Sequence, residues 1–244
     1  MEIRRKHLFF FGVILIVSLL FYFQGRKQAA PKETKISAQI IKTQNDISVE
    51  KIITECEEQE TKKIALTFDD GPHPYYTEQL LDGLKERHVC ASFFVTGEHA
   101  QLHPDIIKRM SEEGHLIGNH TYSHIQLSER NRETFKNELV KTNDIISGIT
   151  GEEVNYVRPP YGSWEKSLES ELNMFPVLWT IDPLDWCSND ADGITRKILA
   201  KAEENSIILM HDSYPATVTA AFRVIDELQK QGYEFVTVDE ILFD

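Results

Sequence analysis

The chain has 244 residues, 26 Lys and Arg against 39 Asp and Glu, and a formal net charge of −13. Its 41% hydrophobic and 27% charged residues exclude a wholly disordered chain, a collagen-like fibre and a multi-span membrane protein. The acidic balance also argues against nucleic acid or an anionic lipid surface as a partner, since both want Lys and Arg gathered on one face.

Residues 1–7 carry Arg4, Arg5 and Lys6, and residues 8–23 follow as an uncharged apolar run. A basic segment before an apolar one reads as an export signal. The run is shorter than the ~20 residues that span a bilayer comfortably. Lys27 and Gln28 stand where a cleavage site wants small residues. An uncleaved signal anchor is therefore the first expectation and a cleaved signal the second. Residues 1–7 are then the cytoplasmic n-region, 8–23 the transmembrane anchor and 24–61 a polar stalk. The remainder, 62–244, is expected outside the cell, tethered to the membrane or secreted. Cys56, Cys90 and Cys187 leave at least one thiol unpaired and form no C-x-x-C pair.

From Lys62 onward, short apolar runs alternate with amphipathic stretches. In chain order these are a strand at 64–68 and a helix at 77–87, then a strand at 91–95 and a helix at 104–113. A strand at 116–118 and a helix at 131–149 follow, then a strand at 155–158 and a helix at 167–172. The last are a strand at 176–180 and a helix at 193–203, a strand at 206–210 and a helix at 217–231, and a strand at 234–238. Thr77 suits an N-cap, Pro104 a first helical turn, and Gly114 and Gly232 the ends of helices. About seven strands alternating with helices argue for an α/β fold with a parallel sheet, either a closed barrel or an open doubly wound sheet. Both architectures bind ligands at the carboxyl ends of the strands. Chemically capable residues are therefore expected just after each apolar run.

Five such groups occur in order. Asp69 and Asp70 end the first strand; neighbouring side chains on a strand face opposite ways, so both can enter one site only if Gly71-Pro72 breaks the strand. His120 and His124 follow the third, four apart, where a helix or tight turn would put them on one face. With a carboxylate they make a His₂–carboxylate set that leaves metal positions open, the geometry of a catalytic rather than structural site. Arg158 follows the fourth strand, where it could clamp a carboxylate by two parallel bonds; the prolines after it leave the Tyr161 and Gly162 amides free for a ligand. Asp182, Asp185, Trp179 and Trp186 follow the fifth strand, and acid beside indole suits a sugar site. Leu209, His211 and Asp212 close the sixth, where His211 could serve as a general acid.

The motifs TFDDGP, HTYSH, RPPYG, DPLDW and LMH resemble, in order, those of the polysaccharide deacetylases, the NodB-homology group or carbohydrate esterase family four. The resemblance covers about residues 62 to 241, nearly the whole exported part of the chain. No position of catalytic or metal role departs from it; Pro183 replaces a usually small residue, and Cys187 follows Trp186. It implies a distorted (β/α)₇ TIM-like barrel and metal-dependent removal of acetyl groups from N-acetylglucosamine units of peptidoglycan or a chitin-type polymer. By position, Asp70, His120 and His124 would hold a divalent metal, zinc first and cobalt or another transition metal second. Asp69 would be the base, Arg158 would orient it, and the Tyr161 amide would meet the oxyanion. His211 would be the acid, kept cationic by Asp185, while Trp186 and Leu209 would shape the acetyl pocket. The expected protein is a monomer with a polysaccharide substrate, a membrane contact through its N-terminal segment and no nucleic-acid partner. Alternatives are an O-acetyl xylan or N-acetylated exopolysaccharide deacetylase, and a glycan-binding protein without turnover.

Overall fold

A computed structural model describes residues 61–243. The n-region at 1–7, the apolar run at 8–23 and all but the last residue of the expected stalk lie outside the described residues. Among the described residues no helix is long and apolar enough to cross a membrane.

Strands and helices alternate: β1 (Lys62–Asp69), α1 (Tyr76–Glu86), β2 (Ser92–Val95), α2 (Gly97–Leu102), α3 (Pro104–Glu112), β3 (Leu116–Asn119) and α4 (Arg132–Thr150). They continue as β4 (Tyr156–Val157), α5 (Ser167–Leu172), β5 (Phe175–Pro176), α6 (Ala191–Leu199), β6 (Ile207–His211), α7 (Pro215–Lys230), β7 (Tyr233–Val236) and α8 (Val238–Phe243). Every strand pairing is parallel, in the order β5-β4-β3-β2-β1-β6, with β7 joined to the N-terminal half of β1. Between β5 and β6 the ladder is reduced to the single bridge Ile181–Ile208. The architecture is a parallel α/β half-barrel, open beside β4 and β5, which have two residues each and pair over at most two positions.

Two helix signals hold. Pro104 occupies the first turn of α3, and Gly114 and Gly232 take the left-handed backbone that ends a helix. Thr77 is not an N-cap, because α1 starts one residue earlier at Tyr76 and its cap position is Tyr75. The short helices α2 and α8 have no counterpart in the sequence reading, although α5, of the same six-residue length, was expected at 167–172.

The strand period of two divides the core. Ile64, Leu66 and Phe68 of β1 and Ile208 and Met210 of β6 pack outward against α1 and α7, with Leu80, Leu84, Val224 and Ile225. Ala65, Phe94 and Ile207 face the other way, into a smaller apolar cluster with Val177 and Val238. On that inner face the register pairs Ala65 with Ile207, Thr67 with Leu209 and Asp69 with His211. Each strand thus climbs from an apolar plug to a polar mouth at its carboxyl end.

Candidate active site

Four strand ends converge there. Asp69 is the last residue of β1, and Asp70 leaves the strand with φ 70°, a left-handed turn that brings the second carboxylate to the same side. The break expected at Gly71-Pro72 thus begins one residue earlier. Asp69 is buried, and its Oδ1 accepts from Arg158 Nη1 at 2.7 Å. Arg158 has no exposed surface and spends its other donors on Thr67 Oγ1 (2.6 Å), the Val177 carbonyl (3.1 Å) and the Leu178 carbonyl (3.3 Å). Its guanidinium lies 4.2 Å from the centre of the Phe94 ring. The expected two-bond clamp on a carboxylate is therefore a single bond, because three of the donors hold the arginine itself in place. Burial pushes the guanidinium below its ordinary range, and Asp69 opposes that shift.

His120 and His124 are brought together by a tight turn rather than a helix. Thr121 and His124 have positive φ, and the two rings lie 4.9 Å apart. Glu138 of α4 holds the turn from behind, accepting from the Tyr122 and Ser123 amides and the Ser123 hydroxyl. His120 Nδ1 lies 2.5 Å from the Arg158 carbonyl, which requires the proton on Nδ1 and leaves the Nε2 lone pair facing the carboxylates. Burial, first among the causes, lowers the pKa of His124 and favours its neutral form.

Asp70 Oδ1 stands 3.4 Å from Nε2 of both histidines, yet it is buried with no hydrogen-bond partner. Burial raises the Asp70 pKa; cationic His120 and His124 would pull it down to about 2, a pull that neutral imidazoles with their lone pairs toward it do not supply. Among the described residues Asp70, His120 and His124 form the one group able to hold a metal ion, with donor atoms all within 4.8 Å of one another. Two imidazole lone pairs aimed at an oxygen that has no donor fit a cation between them, and the N/O donor set suits zinc or cobalt.

Opposite them, His211 ends β6. Asp185, fully buried in a single 3₁₀ turn, accepts from His211 Nδ1 at 2.9 Å, from the His211 amide at 2.8 Å and from Thr217 Oγ1 at 2.7 Å. Burial disfavours the charged imidazole, but the Asp185 hydrogen bond and charge overcome it and raise the pKa to about 9. His211 is thus cationic at neutral pH, with Nε2 left for the cavity.

That cavity, about 410 Å³, is lined by Asp69, Asp70, His120, His124 and His211 together with Tyr161, Trp179, Trp186 and Leu209. All ten residues singled out from the sequence for a site are here or bonded to one that is. Trp186 and Tyr161 are largely exposed at its rim, and Leu209 is buried at its floor. The Tyr161 amide donates to no backbone carbonyl among the described residues, whereas the Gly162 amide is taken by the Pro159 carbonyl at 2.9 Å and is not free as expected. A second opening of about 310 Å³, with Glu98, His99, Tyr122 and Ser123, shares Asp70, His124 and Tyr214 with the first. Sequence reasoning missed the supports Glu138, His99 and Thr217, which lie in no motif, and Thr67, which opens TFDDGP but was given no role. It also left Asp212 without a role: burial pushes that carboxyl up to about 7, against the Thr77 hydrogen bond that lowers it. Cys90 and Cys187 are free thiols away from the cavity lining.

A family model described as polysaccharide deacetylase matches residues 57–177. A peptidoglycan-N-acetylglucosamine deacetylase of Bacillus cereus is 40% identical over 183 residues, covering 72% of this chain and 66% of that protein. The chain thus spans just under two thirds of that relative. A chitooligosaccharide deacetylase of Rhizobium leguminosarum bv. trifolii is 37% identical over 190 residues, covering 70% of this chain and 88% of that one. Among solved structures, the peptidoglycan deacetylase PdaC of Bacillus subtilis superposes with a TM-score of 0.71 at 39% identity, covering 75% of this chain and 91% of that one.

Proposed function

The chain belongs to the polysaccharide deacetylase family, and from that premise we propose that it hydrolyses N-acetyl groups of N-acetylglucosamine units in peptidoglycan or a chitin-type polymer, releasing acetate. The observation that carries the reading is the convergence on one cavity of a three-donor metal set, an arginine-held carboxylate and a carboxylate-held cationic histidine.

In this reading Asp70, His120 and His124 hold a divalent metal, zinc or cobalt. When bound, such an ion supplies Lewis acidity, polarising the acyl oxygen and making water in the site a better acid. Asp69, with Oδ1 fixed by Arg158, takes the proton of the attacking water on Oδ2, which lies 3.8 Å from His120 Nε2. The Tyr161 amide donates to the oxygen that gains charge as water adds to the acyl carbon. His211 gives its Nε2 proton to the departing nitrogen as the C–N bond breaks, because an amine anion does not leave unprotonated. Trp186, Trp179 and Leu209 enclose the acetyl methyl and the sugar face. The two joined openings suit a polymer longer than the reacting unit. Residues 8–23 would tether the enzyme to the membrane with its site facing the wall.

Acetate release from chitooligosaccharides, purified peptidoglycan and acetylated xylan, measured side by side with added zinc or cobalt, tests the substrate. Asp69→Asn is expected to abolish release while the circular dichroism spectrum still shows a folded protein, with a lower melting temperature because Arg158 loses its buried counter-charge. Turnover at the parent rate by that variant removes Asp69 from the chemistry.

A further inference from the structure

Asp212 follows His211 in the chain, but its side chain serves the opposite wall of the site. It has no exposed surface. Its Oδ2 accepts from Thr77 Oγ1 at 2.5 Å, and that hydroxyl in turn accepts from the His73 amide at 2.7 Å. The single hydroxyl proton is thereby committed to the carboxylate. A Cβ built on Gly71 would lie 2.4–2.8 Å from the three carboxyl atoms of Asp212, so this carboxyl fills the place a side chain would take at Gly71. It therefore rests directly against the backbone that follows Asp70. Asp212 Oδ1 has no hydrogen-bond partner. A buried carboxyl with one oxygen unpaired is unfavourable on its own account, and an apolar filler would suit mere packing better.

The turn under it needs holding. Asp70 sits at φ 70° and must keep Oδ1 at 3.4 Å from two imidazoles at once. From the β2–α2 side, His99 Nδ1 meets the Asp70 carbonyl at 2.7 Å and the Thr96 amide donates to the Gly71 carbonyl at 3.2 Å. From the α1 side the Tyr76 amide donates to His73 Nδ1 and the Thr77 amide to the His73 carbonyl, each at 3.2 Å, and the Thr77–Asp212 pair ties the His73 amide to the end of β6.

We propose that Asp212, acting through Thr77, is a positioning residue that fixes the Asp70–His73 turn and so sets the affinity of the Asp70, His120, His124 centre for its metal. The inference rests on the reading of those three residues as ligands. Groups that orient a metal ligand from behind typically govern about tenfold to a hundredfold in affinity.

The test is the zinc dissociation constant of the full chain, by competition with a chromophoric chelator, together with the visible spectrum of the cobalt-loaded protein. Thr77→Val removes only the hydroxyl and is expected to weaken zinc about tenfold or more and to alter the cobalt bands. Thr77→Ser restores the hydroxyl and is expected to restore both. Zinc binding by Thr77→Val at the parent affinity, or an equal loss in the serine variant, overturns the proposal. Should the valine variant not fold, Asp212→Ala against Asp212→Asn, which keeps an oxygen for Thr77, is read by the same two criteria. Asp70→Asn and His124→Ala are measured alongside: unchanged zinc affinity in both would overturn the ligand assignment itself, a failure distinct from that of the brace.

Discussion

His211 and Asp185 show how one contact sets both a catalytic proton and a share of stability. The imidazole is raised from 6.5 to about 9, burial working against it and Asp185 outweighing burial. A shift of that size corresponds to about 3 kcal/mol between the two protonation states. Because the folded pKa is raised, this stabilisation is present in full below about pH 6.5 and is lost as the pH climbs through about 9. The melting temperature of metal-free protein is therefore expected to fall across that window, and Asp185→Asn to flatten the fall. In the loaded enzyme the same substitution moves the alkaline limb of kcat/KM to lower pH, since the acid loses its proton earlier. Identical slopes and limbs in parent and variant would refute the pairing. At this scale the ligands and the acid were legible because each stands in a short motif at a strand end. Asp212 was visible beside His211 but unreadable, since nothing in the order of residues shows that its partner is Thr77, 135 positions away.

At the scale of elements, Asp69, the carboxylate proposed as the base, depends on a relay through three strands. Gly118 of β3 lies under the Phe94 ring of β2, Phe94 faces the Arg158 guanidinium beyond β4, and Arg158 holds Asp69 of β1. A Cβ at Gly118 would meet the Phe94 ring at 2.5 Å and the Tyr156 carbonyl at 3.2 Å. Backbone blocks one side, so the ring must shift, and the Arg158 guanidinium packs on that ring. Gly118→Ala is expected to cost about 1–3 kcal/mol, the usual penalty of overpacking. It would lower the melting temperature by roughly 2–4 °C for each kcal/mol. It is also expected to reduce kcat more than a surface substitution of equal stability cost. Parent-like kcat in a folded variant would break the relay. β1, β2 and β6 stand out in the sequence as apolar runs, whereas the strands expected at 155–158 and 176–180 form over only two residues each. That brevity is why the barrel implied by the family resemblance is an open half-barrel here. Arg158 was legible as a functional residue, but its use of three donors on its own support was not. That depends on where the Val177 and Leu178 carbonyls fall.

At the scale of the whole chain, charge and chemistry separate. Residues 1–60 hold nine Lys and Arg and eight Asp and Glu, so residues 61–244 carry a net charge of −14 against −13 for the chain. The acidic character thus belongs to the part that contains the site. It suits a reaction whose polymer product gains cationic amines, and long-range attraction of that product weakens as salt is added. The described core clusters are built from residues between Ile64 and Ile241. The candidate metal set Asp70, His120 and His124, the proposed base Asp69, the proposed acid His211 and their supports all lie in the same stretch. Catalysis is therefore expected to survive removal of residues 1–60, and location is not. A chain beginning at Thr61 should release acetate from a soluble chitooligosaccharide with the parent kcat/KM. It should also leave the membrane fraction and lose rate on intact cell walls, where tethering raises the local concentration of enzyme. Loss of activity on the soluble substrate would show that the first sixty residues take part in the site. An unchanged membrane fraction would show that residues 8–23 are not the anchor.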